Sequence, residues 1–570
     1  MVVNGLLSRR RTLQPAVSQH SSSHMLMISP RGYLARLHSP RTFLSARRLS
    51  GNLSQLARWF LLFIISASSK NTSADIHFWE GSTANNLGID EWNWPGNWAS
   101  DKIPPQNGAN TRVILRGDKS NSRLRDFLFT EVLHDYSIES LELEAVTTDM
   151  TISGGDLTVS DYIANRSIPS GGNDGAYKLT FRNNVVIGAG TGGALHLTAF
   201  GEQDFVYDDI IFEGANASLI GGADKLLRLT PENQGRIRMN VPIASTFLGD
   251  IEIFGGEFYS AGHGDPLSGS TRVSLFPMDP AAAPLEYVIP KYVVDVHDNI
   301  GSLAGNVFGG KVVLNQNLGV GFDNTSSTFY GEFTGAGQLT KSGSGTFTVR
   351  GSSIFFAGDV EVRGTGTMEI AGGNARFKGD STLFTLFDEA TLKIGQNLTI
   401  GGLEGDSGTV DLGNQDWTLK IGQNNQSTTF AGSLAGAGNL LKWGNGRFTL
   451  TGSNDSFTGK TVLEEGEFEI AGDPNNSPVG DSAQIELNGG RFIINASETI
   501  GGLSGDADGV LELNQPLTVG ADGSTTNYGG SVVGSSLLIK SGAGEFTLTR
   551  AGEFNTGEFY SGTILVSEGT

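Results

Sequence analysis

Residues 436–471, GAGNLLKWGNGRFTLTGSNDSFTGKTVLEEGEFEIA, indicate the fold of this chain most clearly. Within them, short runs such as Arg447–Leu450 and Phe468–Ile470 alternate polar and apolar residues, which is the two-residue period of a β-strand. Glycine, asparagine and serine, which favour turns, separate these runs. No window has apolar residues at the spacing of an amphipathic helix. The stretch therefore predicts short β-strands joined by tight turns.

Two signatures recur through the C-terminal half of the chain with the same period. The first returns as GAGQLTKSGSGTFTV at residues 335–349 and as GSSLLIKSGAGEFTL at residues 534–548. The lysines of its three copies are Lys341, Lys442 and Lys540. The second signature, IGxLxG, begins at Ile300, Ile400 and Ile500. A fixed period built from strands is typical of a solenoid. We interpret the repeated lysines as a structural ladder along the rod, because catalytic residues are normally single.

The predicted fold is all-β, a parallel β-helix solenoid with glycine-rich turns. One period would hold four to five rungs of roughly 20 to 25 residues each. We divide the chain into four segments. These are an unstructured signal segment with a long basic extension (1–74), a tryptophan-rich cap with the first strands (75–136), irregular rungs (137–299), and three repeats of which the last is incomplete (300–570).

Glycine is unusually frequent, with 80 of 570 residues, about twice the usual share of roughly 7%. A flexible linker could share this composition, but a linker has no need of the regularly spaced Phe, Leu, Ile and Val that lie between the glycines. Charged residues make up only 17% of the chain. Such a composition fits an extended β-protein that works outside the cell.

The formal net charge of −21 is unevenly distributed. Residues 1–74 contain ten basic and no acidic residues, so the remainder carries 29 basic and 60 acidic residues, a net charge of −31. Nucleic acid would be repelled by this balance and is excluded as a partner.

The N-terminal segment is predicted to be an export signal. It is basic and serine-rich, and it contains the short apolar run Trp59–Ile65 followed by small residues. This order is typical of a secretory signal, with cleavage expected after Ser69 or Ala74. The apolar run is too short to span a bilayer, so no membrane-spanning segment is expected in the mature chain. The competing interpretation is a transit peptide, and translation starting at Met25 or Met27 would shorten the basic part.

Four of the seven tryptophans lie between Trp79 and Trp98. We expect them to cap the first rung, because an exposed sheet edge promotes aggregation. A carbohydrate-stacking surface is the alternative. The tripeptide RGD at residues 116–118 is interpreted as a chance occurrence rather than an adhesion motif.

The GxGxLxKxGxGxFTL stretches resemble the autotransporter-associated β-strand repeat, also called the passenger-associated transport repeat. The second half of that repeat is present as FTGKTVLEEG at residues 457–466. The tryptophan-rich opening, residues 76–115, is similar to the N-terminal segment of such proteins. The resemblance implies a right-handed parallel β-helix, secreted or exposed on the surface of a Gram-negative-type bacterium. In many members it is a passenger exported through a C-terminal outer-membrane barrel.

The chain departs from the family pattern in three respects. Ser536 stands where the other copies have Gly337 and Gly438, and residues 356–358 read FAG where the family has FTG. No series of alternating ten-residue strands suggests a barrel. The sequence as given therefore does not support export through a barrel of its own. A barrel on a separate protein is one route that stays open, and a fragment of a longer autotransporter is another interpretation.

Several polar clusters are weak candidates for chemistry. The acidic group Asp204, Asp208 and Asp209 could serve a polysaccharide lyase or hydrolase, which needs carboxylates on adjacent rungs. The pair His263 and Asp265 is a second such spot. A calcium ion could bind the turn at residues 506–509, although a plain turn is favoured. We assign no catalytic, cofactor-binding or metal-binding residue, and no cofactor.

The sequence favours a non-enzymatic, secreted or cell-surface rod that acts in adhesion or in envelope or matrix structure. Its expected partner is an extracellular polysaccharide or the surface of a host or neighbouring cell. The alternative is an extracellular polysaccharide lyase or hydrolase with its site in residues 137–300. A third hypothesis is a truncated autotransporter fragment with no function alone.

Overall fold

The computed structural model describes most of the chain after residue 74 and shows β-strands and turns without any helix in that part. The described residues are 75–79, 90–91, 105, 107–116, 128–132, 135–144, 149–166, 177–188, 194–199, 201–202, 206–214, 217–230, 235–240, 247–262, 265–277, 289–353, 355–372, 376–377, 381–453, 456–473, 478–549 and 560–570. Within this part no helix could cross a membrane. The expected signal segment lies outside the described residues, as do three of the four clustered tryptophans.

The strands are short, and all described pairs are parallel except the hairpin of β11 and β12. The first part of the chain contains β1 (Asp75–Trp79), β2 (Asp90–Glu91), β3 (Asn107–Arg116), β4 (Leu128–Val132), β5 (Tyr136–Glu144), β6 (Met150–Gly154), β7 (Leu157–Arg166), β8 (Lys178–Phe181), β9 (Asn184–Ile187), β10 (Ala194–Ala199), β11 (Gly201–Glu202), β12 (Val206–Tyr207), β13 (Asp209–Glu213), β14 (Ser218–Ile220), β15 (Leu226–Leu229), β16 (Arg236–Asn240), β17 (Asp250–Ile253), β18 (Glu257–Ser260) and β19 (Arg272–Leu275).

The middle part contains β20 (Lys291–Val294), β21 (Asp298–Ile300), β22 (Ser302–Gly305), β23 (Lys311–Leu314), β24 (Leu318–Val320), β25 (Ser327–Phe329), β26 (Glu332–Gly335), β27 (Leu339–Lys341), β28 (Thr346–Val349), β29 (Ser352–Ser353), β30 (Val360–Val362), β31 (Thr367–Ala371), β32 (Arg376–Phe377), β33 (Leu383–Leu386), β34 (Thr391–Gly395), β35 (Leu398–Thr399), β36 (Gly402–Gly405), β37 (Thr409–Asp411) and β38 (Thr418–Ile421).

The last part contains β39 (Thr428–Phe430), β40 (Ser433–Ala435), β41 (Asn439–Lys442), β42 (Arg447–Leu450), β43 (Lys460–Leu463), β44 (Glu467–Ile470), β45 (Gln484–Leu487), β46 (Arg491–Ile494), β47 (Glu498–Ile500), β48 (Gly502–Gly505), β49 (Val510–Leu513), β50 (Leu517–Val519), β51 (Thr526–Tyr528), β52 (Ser531–Gly534), β53 (Leu538–Lys540), β54 (Phe546–Leu548) and β55 (Ile564–Val566).

The chain winds as a parallel β-solenoid with three faces. For example, β48, β49 and β50 belong to the 8-, 12- and 4-stranded sheets, and β51, β52 and β53 follow in the same order. In the 12-stranded sheet one turn takes between 19 residues, from Leu383 to Gly402, and 25 residues, from Gly405 to Phe430. The predicted rung length and the predicted all-β solenoid are thereby confirmed.

Alternate residues of most strands fill a single continuous core, whereas the residues of β55 are exposed. In β42 the side chains of Phe448 and Leu450 are buried and Arg447 and Thr449 are partly exposed, as the period-2 pattern requires. Equivalent residues stack from rung to rung, so that Phe448, Phe468 and Phe492 have ring centroids 5.8 Å and 5.3 Å apart. Burying each such ring contributes about 1.5–3 kcal/mol.

Glycine is required at some corners by both conformation and space. Gly444 has φ +77°, and a Cβ added to it would lie 2.2 Å from the carbonyl oxygen of Gly422 on the preceding rung. An L-residue strains the backbone in this region, and the close approach leaves no room for a methyl group. The glycine-rich turns of the repeat are therefore a consequence of how closely the rungs stack.

The repeat period does not equal a whole number of turns. Lys341 lies in the 12-stranded sheet, Lys442 in the 8-stranded sheet and Lys540 in the 4-stranded sheet. From Ile300, four turns carry the chain to Leu386 and five turns carry it to Gly405, past Ile400. Ile400 therefore falls on a different face from Ile300. The interpretation of the repeated lysines as a stacked ladder is wrong. Each repeat instead places its lysine on a new face of the solenoid.

Candidate functional site

The most regular polar sites of the described chain are turns closed by a buried lysine. The side chain of Lys442 is 1% exposed, and its Nζ donates to the carbonyl oxygens of Trp443 (3.0 Å), Gly444 (2.7 Å) and Glu465 (3.2 Å). Glu465 belongs to the next rung, so the ammonium group holds two stacked turns together. Burial lowers the pKa of Lys442 to about 8.

Buried lysines also close the corresponding turns of the other two repeats. Lys540 donates to the carbonyl oxygens of Ser541 (2.6 Å), Gly542 (2.8 Å) and Glu568 (3.5 Å). Lys341 donates to those of Ser342 (2.5 Å) and Gly343 (3.1 Å), and burial lowers its pKa to about 8 as well. The K-x-G signature therefore marks a turn whose buried carbonyl groups receive their hydrogen bonds from lysine. These lysines stabilise the solenoid and do not line an open site.

The acidic cluster that suggested a lyase or hydrolase is engaged in structural contacts. Asp209, which is 3% exposed, accepts two hydrogen bonds from Arg236, at 2.7 Å from Nε and 3.2 Å from Nη2. Arg238 lies 3.8 Å from its second oxygen. Asp208 accepts a hydrogen bond from the backbone N–H of Tyr177 (3.3 Å). A carboxylate held bidentately by arginine is a poor general base. The third member, Asp204, lies outside the described residues.

A second acidic site lies at the junction of the irregular rungs and the repeats. The Asp298 side chain is fully buried and accepts hydrogen bonds from Ser260 Oγ (2.5 Å), Tyr292 Oη (2.6 Å) and the N–H of Leu267 (3.1 Å). Burial, together with a hydrogen bond to Asp265, raises the pKa of Asp298 to about 7. Burial disfavours the charged form of a carboxyl group, so Asp298 holds its proton more readily than an exposed aspartate does.

Asp265 connects this site to the surface. Its two oxygens accept from the backbone N–H of Asn299 (2.8 Å) and from Asn299 Nδ2 (2.9 Å). The Asn299 amide also lies 3.1 Å from Nε2 of His297. The predicted partner of Asp265, His263, lies outside the described residues. The hydrogen bonds of Asp265 tie the segment around residue 265 to β21.

Asp298 was not among the candidate residues predicted from the sequence, although its position in the sequence indicates a buried acidic residue. It stands two residues before Ile300, and Glu498 stands two residues before Ile500. Strand alternation turns both positions inward, and both side chains are buried. An acidic residue at an inward position of a strand is unusual and could have been recognised as a buried polar site.

The remaining candidate residues are not grouped as a catalytic or metal-binding site in the described chain. In the described chain no three His, Asp or Glu side chains are grouped as metal ligands, and residues 506–508 are exposed, with Gly509 buried beside them. Arg116 ends β3, whereas the glycine and aspartate of the RGD tripeptide lie outside the described residues.

These features define the class of the protein as a parallel β-solenoid stabilised by buried side-chain clamps at its turns. The chain carries passenger-associated transport repeats, and this family matches it at residues 440–470 and 538–570. Both matches contain a lysine-closed turn.

One curated relative is the "Adhesin BmaC autotransporter" of Brucella suis biovar 1 (strain 1330). The two proteins are 27% identical over 257 residues. The matched region covers 43% of this chain and 7% of the length of the relative. No solved structure shows significant similarity to the chain.

Proposed function

We propose that this chain is a passenger-type β-solenoid, secreted or exposed at a bacterial surface, that acts in adhesion without enzymatic activity. The observation that carries the proposal is the pair of matches to the passenger-associated transport repeat, which lie on separate rungs of one solenoid. The adhesin name of the Brucella relative supports the adhesive role.

The described acidic residues are consistent with this role. Asp209 is neutralised by Arg236, and Asp298 is closed off from solvent by three hydrogen-bond donors. Neither leaves a free carboxylate beside an open groove, which a polysaccharide lyase or hydrolase would need. We infer that the Asp209 and Asp298 carboxyl groups help to keep the solenoid rigid.

Export would begin with the signal segment in residues 1–74 and would continue through an outer-membrane barrel. The acidic remainder of the chain, with a net charge of −31, keeps such an extended surface soluble and discourages association with nucleic acid.

A gene deletion in the native organism tests the adhesive role. Cells without the gene are expected to adhere less to host cells or to a polysaccharide-coated surface, and the complete gene should restore adhesion. The matched control is a gene carrying Asp209→Asn, which would abolish an enzyme that depends on that carboxylate. Full adhesion of the deletion strain, together with loss of polysaccharide cleavage by both strains, would favour the enzymatic alternative.

A further inference from the structure

Four asparagines of the sequence are followed directly by glycine, at residues 4, 107, 445 and 488. In such a pair the backbone nitrogen of the glycine can attack the side-chain amide of the asparagine, because glycine has no side chain that hinders the approach and its backbone rotates freely. The first pair lies outside the described residues, and the second lies in β3, where the backbone pairs with β5. The pairs at Asn445 and Asn488 lie in turns between strands and differ in their contacts.

At Asn445, which lies between β41 and β42, both reacting groups are free. Its side chain is exposed and makes no hydrogen bond within the described part of the chain, while its backbone N–H donates to Oδ1 of Asn425 (2.8 Å). The N–H of Gly446 has no acceptor among the described residues, although the Gly446 carbonyl oxygen accepts from the N–H of Glu467 (3.5 Å). The attacking nitrogen and the amide that it would attack are therefore not restrained by hydrogen bonds.

At Asn488, which lies between β45 and β46, both groups are held. The side-chain Nδ2 donates to Oε1 of Glu464 and to Oε1 of Glu486, each at 3.0 Å. The N–H of Gly489 donates to the carbonyl oxygen of Leu463 on the preceding rung (3.2 Å). An attack on this amide must first break these hydrogen bonds, which adds to its barrier. The same dipeptide therefore occurs in a free and in a restrained form in one protein.

We propose that Asn445 is a site of spontaneous deamidation, which converts it to aspartate and isoaspartate. The Gly446 nitrogen loses its proton to hydroxide and forms a bond to Cγ of Asn445. The bond from Cγ to the side-chain nitrogen breaks, and this nitrogen takes a proton from water and leaves as ammonia. Water then adds to the resulting succinimide ring and breaks one of the two bonds between a ring carbonyl carbon and the nitrogen. Breaking the new bond gives aspartate, and breaking the original peptide bond gives isoaspartate.

Isoaspartate at this position would change the shape of the corner. It leads the backbone through the side-chain Cβ and Cγ, which lengthens the main chain by one atom. A Cβ added to Gly446 would already lie 2.2 Å from the carbonyl oxygen of Gln426 on the preceding rung, so the corner has little room for an additional atom. The carbonyl oxygen of Gly444 is held by Nζ of Lys442 at 2.7 Å. Isoaspartate is therefore expected to loosen the stacking of β42 on its neighbours, whatever the function of the solenoid.

Incubation of the full chain in weakly alkaline buffer tests the proposal. Folded protein and protein unfolded in urea are incubated in parallel, digested, and analysed by mass spectrometry with electron-transfer fragmentation, which distinguishes isoaspartate from aspartate. The unfolded chain gives the intrinsic rates of the two Asn–Gly pairs. After correction for these rates, we expect Asn445 of the folded chain to deamidate at least about tenfold faster than Asn488, because the hydrogen bonds of Asn488 and Gly489 must open first.

Asn445→Gln should remove the reaction at residue 445, because attack on glutamine closes a larger ring that forms more slowly. Asn488→Gln is the matched control and should leave the rate at Asn445 unchanged. After incubation the unchanged protein should unfold at a lower urea concentration than fresh protein, whereas incubated Asn445→Gln should not.

Equal corrected rates at Asn445 and Asn488 in the folded chain, or a faster rate at Asn488, would overturn the proposed site. An unchanged unfolding midpoint in converted protein would overturn the predicted loosening of the corner. Adhesion by complemented cells does not depend on either result, so this proposal and the proposed function can fail separately.

Discussion

At the scale of single residues, the repeat signature encodes a turn closed by a buried cation. The lysine at the end of β41 gives all its observed hydrogen bonds to backbone carbonyl groups, and three donors on one flexible side chain suit this arrangement. Its repetition was visible in the sequence. The sequence did not show how deeply this lysine is buried. Lysine is almost never fully buried without a partner, and here its partners are backbone carbonyl groups, which no pattern of side chains reveals.

Replacing Lys442 with methionine should destabilise the surrounding rungs by about 1–3 kcal/mol, because the buried carbonyl groups lose their donors. Trp443 is adjacent, so its fluorescence during urea unfolding reports on this turn. The exposed Lys178 provides the control, and Lys178→Met should change stability by less than about 0.5 kcal/mol. Equal effects of the two substitutions would show that the hydrogen bonds of Lys442 contribute nothing to the free energy of unfolding.

The buried carboxyl group of Asp298 predicts a dependence of stability on pH. The pKa of Asp298 is raised from 3.8 to about 7 in the folded chain, so the folded state binds more protons than the unfolded state between these values. The free energy of unfolding should therefore fall as the pH rises from about 4 to about 7. In Asp298→Asn, which does not titrate and retains one acceptor oxygen, this slope should be smaller. Unfolding by urea at pH 4, 5.5 and 7 measures it, and an unchanged slope would contradict the assignment.

At the scale of strands and turns, the alternating pattern was sufficient to predict the elements. Arg447–Leu450 and Phe468–Ile470, identified from period 2, lie within β42 and β44. The pattern could not show which strands stack on one another, because turns of 19 to 25 residues vary too much for a fixed register to be counted along the sequence.

The stacked rings give a direct test of core packing. Phe468→Ala removes the middle ring of three and should cost about 3–5 kcal/mol. Phe355, which is 67% exposed, is the matched position at the surface, and its change to alanine should be nearly neutral. Urea denaturation curves compare the two variants. A cost below about 1 kcal/mol for Phe468→Ala would contradict the continuous core.

A comparison of two glycines distinguishes the energetic cost of backbone strain from the cost of a steric clash. Gly444 and Gly523 both have positive φ, +77° and +72°, but only Gly444 would place a Cβ against a neighbouring rung. Gly523→Ala should therefore cost about 1 kcal/mol from strain alone, and Gly444→Ala distinctly more. Thermal unfolding of the two variants makes the comparison. Equal losses would mean that the rungs are not stacked as closely as described.

At the scale of the whole molecule, the sequence predicted a solenoid and its repeats but not the path of the repeats around it. A period near 100 residues suggested copies aligned above one another. Because the period falls between four and five turns, successive copies lie on different faces, and the lysine-closed turns are distributed around the rod.

The location of the intact protein in its own organism tests the central claim that this solenoid works outside the cell. Cells are fractionated and treated with an external protease, and the N-terminus of the recovered protein is determined by mass spectrometry. We predict a protein in the medium or accessible at the surface, beginning near Lys70 or Asp75. A protease-protected cytoplasmic protein that retains Met1 would contradict the account.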